Sequence, residues 1–110
     1  MPMAPPSKAQ VHHYERCTKS GFLMLAYRNM LSRVVGVQKR EAHFYQGLPL
    51  LPKNVFYMWS FGDRGFNQLW PAWIASGRQR ALCPSINRKD VTHGYTLDNM
   101  EWITQSQNSQ

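Results

Sequence analysis

Acidic residues are scarce in this chain. Six Asp and Glu stand against 13 Lys and Arg in 110 residues, a formal net charge of +7. So basic a balance favours an anionic partner, and nucleic acid is the commonest one. No run of about 18 apolar residues occurs, so no membrane span is expected. The first residues have no apolar stretch, which argues against a secretory signal. Two cysteines, Cys17 and Cys83, are too few for a disulfide scaffold. A reducing, cytoplasmic setting is the simplest reading. There is no internal repeat, and the length suits one small domain.

What is present is enough apolar material for a core: 43% of residues, including 4 Trp, 5 Tyr and 5 Phe. Residues 1–14 read as a disordered tail, with three prolines in the first ten and no apolar period. His12 and His13 precede Cys17, and Cys83 is a conceivable fourth zinc ligand. None of them has the paired spacing of a structural zinc site, so zinc is disfavoured. An exposed His pair and a small buried thiol are the simpler reading.

From residue 15 onward the chain reads as one domain, with a helical part over 18–77. Thr18 or Ser20 caps a helix reaching about Val35, with Phe22, Leu23, Ala26, Met30, Leu31 and Val34 on its buried face. Gly36 is its stop. Arg28 and Arg33, with Lys39 and Arg40 beyond, form a basic edge suited to duplex phosphates; a solvated helix face is the alternative. Glu41 to Tyr45 is one further helical turn. Two prolines keep 47–52 extended. Asn54 caps a second helix, Val55 to about Phe61, whose Phe56, Met58, Trp59 and Phe61 belong to the core. The run 62–65 is a breaker. A third helix lies within 66–76, starting near Trp70 with Pro71 in its first turn. Leu69, Trp70, Trp73 and Ile74 share one side; tryptophans at this spacing are more often core than base-stacking surface. Arg78 and Arg80 then stand just before the last segment, placed to grip phosphate.

That last segment, 82–110, is rich in polar residues. Ser85-Ile86-Asn87 and Glu101-Trp102-Ile103-Thr104 read as two short strands around a turn-rich loop, followed by a polar stretch carrying Asn108. The pattern Pro-Ser-Ile-x-Arg-x-Asp, then Gly-Tyr-Thr-x-Asp-Asn-Met-x-Trp-Ile-Thr, then a closing Asn-Ser, resembles the small phage-type HNH endonucleases of the His-Me finger class. The segment Tyr27-x-x-Met30-x-x-Arg33-Val34-x-Gly36 resembles the front half of such proteins more weakly. The resemblance implies an α+β fold, a mostly helical N-terminal part packed on a C-terminal ββα-metal finger. It implies cleavage or nicking of DNA with Mg²⁺ or Mn²⁺ in the cytoplasm of an infected bacterial host, by a monomer or a homodimer. A retained fold without activity, binding DNA or a host protein as a regulator or inhibitor, is the alternative.

Residue by residue, Asn87 stands where the family usually has a metal-binding Asp, and Asn108 matches its distal metal ligand. Arg88 stands where many HNH enzymes carry the His base. Arg88 stays protonated, so it suits phosphate clamping, with Lys89 beside it. His93 then becomes the best base on offer. Asp90 is a further candidate for the metal or for orienting water. Asn99 matches the middle Asn of the signature and is suited to tying down the loop by hydrogen bonds. Because Asn108 lies in so short a helical segment, packing on Trp102 or DNA is expected to hold it.

Overall fold

The computed structural model describes residues 5, 7, 8, 18–36 and 47–109. They form a small compact α+β unit of four helices and a two-stranded antiparallel sheet. None of these helices is long and apolar enough to cross a membrane. The expected turn at 41–45 lies outside the described residues.

Helix α1 spans Lys19–Val34. Thr18 is its cap: the Oγ1 accepts from the Gly21 N–H at 3.0 Å. Gly36 ends it at φ +79, a left-handed conformation that glycine adopts without steric cost. Leu23 and Met30 are fully inside, with Phe22, Ala26 and Val34 against them. Leu31, expected on this face, is instead 44% exposed. It lies about 100° round the helix from Met30, beyond the buried stripe.

Helix α2 spans Lys53–Gly62, and Pro52 rather than Asn54 occupies its cap position. The Pro52 carbonyl accepts from the Phe56 N–H at 3.0 Å, so the helix starts one residue before Asn54. Phe56 and Ser60, four apart, face inward. Met58 falls between them on the opposite side and is 75% exposed; Phe61 is exposed too. These two correct the expectation of an all-core helix.

Helix α3 spans Arg64–Ala75. The run read as a breaker contains its cap: the Asp63 carboxylate accepts from the Phe66 N–H at 2.9 Å. The helix therefore starts well before Trp70, and Pro71 lies in its interior. Phe66, Trp70 and Trp73 form the buried stripe, while Ile74 is exposed. At the exit the Arg78 N–H bonds the Trp73 carbonyl and the Gly77 N–H that of Ile74, a Schellman closure.

Strands β1 (Pro84–Arg88) and β2 (Met100–Thr104) pair antiparallel, with Ile86 opposite Trp102 and Asn87 opposite Glu101. Helix α4, Gln105–Asn108, follows at once. Trp102 fixes the hairpin to the helices. Its ring lies 4.7 Å from Phe66, 6.0 Å from Phe56 and stacked on Trp59. Its indole N–H donates to the buried Ser60 Oγ at 3.2 Å, so neither polar group is stranded inside.

A second tie joins the loop before α2 to the loop of the hairpin. The Tyr95 N–H donates to the Pro49 carbonyl at 2.8 Å, and the Leu51 N–H donates back to the Tyr95 carbonyl at 2.9 Å. The approach is so close that a Cβ on Gly94 would run into the carbonyl oxygen and ring of Pro49.

Candidate functional site: a polar cleft beside the hairpin

A cleft of about 660 Å³ opens between α1 and the β1–α4 corner. Arg33 lines it from α1, Ser85, Asn87 and Arg88 from β1, and Asn108 from α4. The structure thus brings the two expected metal ligands onto one wall.

Local chemistry sets the orientation of Asn108. Thr104 and Gln107 form a reciprocal capping box at the start of α4, with bonds of 3.1 and 3.0 Å. The Gln105 N–H donates to the Cys83 carbonyl at 2.8 Å. The Asn108 Nδ2 then donates to Ser85 Oγ at 2.7 Å and to the Ile86 carbonyl at 3.2 Å. A carbonyl can only accept, so the polarity of the amide is settled. The Oδ1 of Asn108 has no hydrogen bond among the described residues.

Asn87 reaches the same state by another route. Its Nδ2 donates to Glu101 Oε1 across the ladder at 2.9 Å. An ionised carboxylate only accepts, so among the described residues the Oδ1 of Asn87 is the atom left over. Side chains alternate along a strand, so Ser85 and Asn87 share one face of the hairpin with Ile103 and Glu101.

The loop residues are arranged differently. Arg88 is only 8% exposed. Its Nη1 donates to the carbonyls of Val91 at 2.9 Å and His93 at 3.0 Å, and its guanidinium lies 5.7 Å from the Tyr95 ring centre. The group expected to clamp phosphate holds the loop. Asn99 is also 8% exposed. Its Oδ1 accepts from the Asp90 N–H, and its Nδ2 donates to the carbonyls of Asp90 and Gly94.

Asp90 receives the Thr92 hydroxyl at 2.6 Å and the Thr92 N–H at 2.9 Å. Those two bonds hold its carboxyl below the usual carboxylate range, with a smaller contribution from His93. The His93 Nδ1 lies 2.9 Å from Asp90 Oδ2. The imidazole is 69% exposed and does not line the cleft, although Val91 and Tyr95 on either side do. Asp90 is likewise outside it.

Of the basic residues, Arg33 is in the cleft, its Nη1 donating to the Tyr95 hydroxyl at 3.4 Å. Arg28, Arg78, Arg80 and Lys89 are exposed. Lys39, Arg40, His12, His13 and Cys17 lie outside the described residues. Cys83 is half-buried, and that burial pushes its thiol up, keeping it protonated.

Among the described residues no group of three or more His, Cys, Asp or Glu could hold a metal. The donors on the cleft wall are amide oxygens. A hard cation takes oxygen ligands of this kind, but these amides are neutral, no carboxylate among the described residues lines the cleft, and Arg33 and Arg88 do. Sequence reasoning missed Ser85 and Glu101, the partners that orient the two amides. It also missed the capping box, although Thr-x-x-Gln at 104–107 is its ordinary signature. Compared with known proteins, the chain matches no family model, no curated protein and no solved structure.

Proposed function

We propose that this chain is an HNH-type DNA endonuclease or nickase that hydrolyses phosphodiester bonds with a divalent metal. One observation carries the reading: Asn87 and Asn108 line one cleft, each with its amide nitrogen bonded to the protein and its oxygen without a hydrogen bond among the described residues. The order of elements, two antiparallel strands and then a short helix bearing Asn108, agrees with a ββα-metal finger. The charge of +7 suits a polyanionic substrate.

Cleaving a phosphodiester needs a deprotonated water, neutralised charge on the phosphoryl group and a stabilised leaving oxygen. The oxygens of Asn87 and Asn108 would hold a Mg²⁺ or Mn²⁺, which would supply the last two. His93 is the base this reading assigns, with its Nδ1 engaged by Asp90; its ring lies outside the cleft, so the reading requires the loop to bring Nε2 to the water. The exposed Arg28, Arg78, Arg80 and Lys89 would supply positive charge to flanking phosphates. Arg88 serves the site through the loop that carries His93, since its guanidinium holds the His93 carbonyl.

A second reading is a protein on the same scaffold that binds DNA or a host protein without cutting. It is favoured by the position of His93, whose ring does not line the cleft. Supercoiled plasmid incubated with the protein and Mg²⁺ or Mn²⁺, beside a chelator control, separates the two. Metal-dependent nicking is the expected result. Absence of nicking together with a salt-sensitive gel shift of the same DNA would leave the binding protein.

A further inference from the structure

The charge that lines the cleft is of one sign. Arg33 enters from α1 and Arg88 from β1, while Asp63, Asp90, Asp98 and Glu101, the carboxylates among the described residues, all lie outside it. The two arginines meet on one ring. Arg33 Nη1 donates to the Tyr95 hydroxyl at 3.4 Å, and the Arg88 guanidinium lies 5.7 Å from the centre of the same buried ring. The hydroxyl bonded by Arg33 and the carbonyls bonded by Arg88 are neutral groups, so these contacts leave both positive charges in place. Like charges brought together at a half-buried wall raise the potential in front of it, and an anion there interacts favourably with both.

We propose that this end of the cleft seats the phosphate group of a nucleotide without any metal, between Asn29 and Arg33 of α1 and the wall made by Arg88 and Tyr95. Asn29 stands one turn before Arg33, is exposed and lines the cleft. Its amide places N–H donors beside a guanidinium whose planar fork matches two phosphate oxygens. Arg88, turned onto the loop carbonyls, contributes charge. The helix face also changes character along its length. Phe22, Leu25 and Ala26 line the cleft in the first half of α1, and Asn29 and Arg33 in the second. Phe22 and Arg33 are about 16 Å apart along the helix axis. A nucleotide has the same division, an anionic group on a planar, less polar body. A cleft of about 660 Å³ is of the size that takes such a molecule. The seat draws on the arginines and not on the oxygens of Asn87 and Asn108, so it stands apart from the cation of the reading above.

The test is a titration of the full chain with thymidine 5′-monophosphate in the presence of chelator, followed by NMR. Saturable binding is expected, with shifts concentrated at Asn29, Arg33 and Tyr95. Thymidine, which lacks the phosphate, should bind about 10-fold more weakly or worse. Arg33→Gln should lose about 10-fold in affinity, the scale of a charge-assisted hydrogen bond. Asn29→Asp, which sets a negative charge on the wall, should lose a similar factor. Lys53→Gln removes one charge at an exposed position outside the cleft and should stay within about twofold. A dinucleotide whose one phosphate is the internal diester tells the two sources apart. Binding as tight as the monophosphate supports a seat for phosphates within a strand, and weaker binding supports one for terminal phosphates. Equal losses in Lys53→Gln and Arg33→Gln would overturn the seat and leave overall charge alone. Equal binding of thymidine and its monophosphate, or no saturable binding, would overturn it as well. If Arg33→Gln fails to fold, Asn29→Asp carries the decision: parental affinity there rejects the seat. With chelator present throughout, failure of metal-dependent nicking and failure of the seat are separate results.

Discussion

The loop between the strands and the cleft beside them draw on the same side chains and leave them in different states. In the loop, Asn99 is bonded at both ends of its amide and Arg88 is turned onto two carbonyls. In the cleft, among the described residues, Asn87 and Asn108 are bonded only through nitrogen. Three asparagines in one short segment are equivalent by residue type. What separates them is whether the oxygen already has a donor. A buried, fully satisfied amide stabilises one loop conformation; a half-satisfied amide at a cleft wall retains an acceptor for something else.

Substitutions in the loop should therefore cost stability, and those in the cleft should cost binding. The largest effect is expected for Gly94→Ala. The added methyl meets the Pro49 backbone and not a yielding side chain, so the tie between the two loops has to open. About 3–4 kcal/mol of unfolding free energy should be lost, measured by urea denaturation. Arg88→Ala should follow closely, at about 3 kcal/mol, because it leaves the carbonyls of Val91 and His93 without their donor. Asn108→Ala should cost about 1 kcal/mol or less, since the groups it releases border an open cleft, yet it should abolish tight Mn²⁺ binding. A loss of 3 kcal/mol there would erase the contrast between the two regions.

The smallest effect concerns acid. The Asp90 carboxyl lies below its ordinary range in the folded chain, so the stabilisation it gives the loop is complete above the unfolded value of about 4 and is lost as pH falls through the lower folded value. Amide resonances of Thr92 and His93 should shift in that acid window and stay constant from pH 5 upward with respect to this group. Asp90→Asn should remove the transition.

Much of this layout was legible in the chain. Thr18 and Gly36 bracket α1 through local signals, a hydroxyl cap and a left-handed stop. The two strands stand where short apolar-polar pieces flank a Gly-containing loop, each extended slightly by pairing. Errors arose where one residue type serves two roles. Asp63 in a Gly-rich run reads as a breaker, yet it caps α3. Met58 and Leu31 are apolar, but hydrophobicity alone does not say on which side of a helix they fall. At the site, the positions of Asn87 and Asn108 came from the motif. Their orientation did not, because it depends on Ser85, Ile86 and Glu101, brought in by strand register and by the docking of α4. Arg88 carries a charge that suggests phosphate; only the folded loop reveals the carbonyls it meets.

The most direct test of this division is metal-dependent plasmid nicking by Asn108→Ala, read beside the urea stability of the same preparation. The account expects nicking to vanish while stability stays within about 1 kcal/mol of the parent. Nicking at the parental rate by that variant would contradict it, since the cleft oxygen would then have no part in the chemistry.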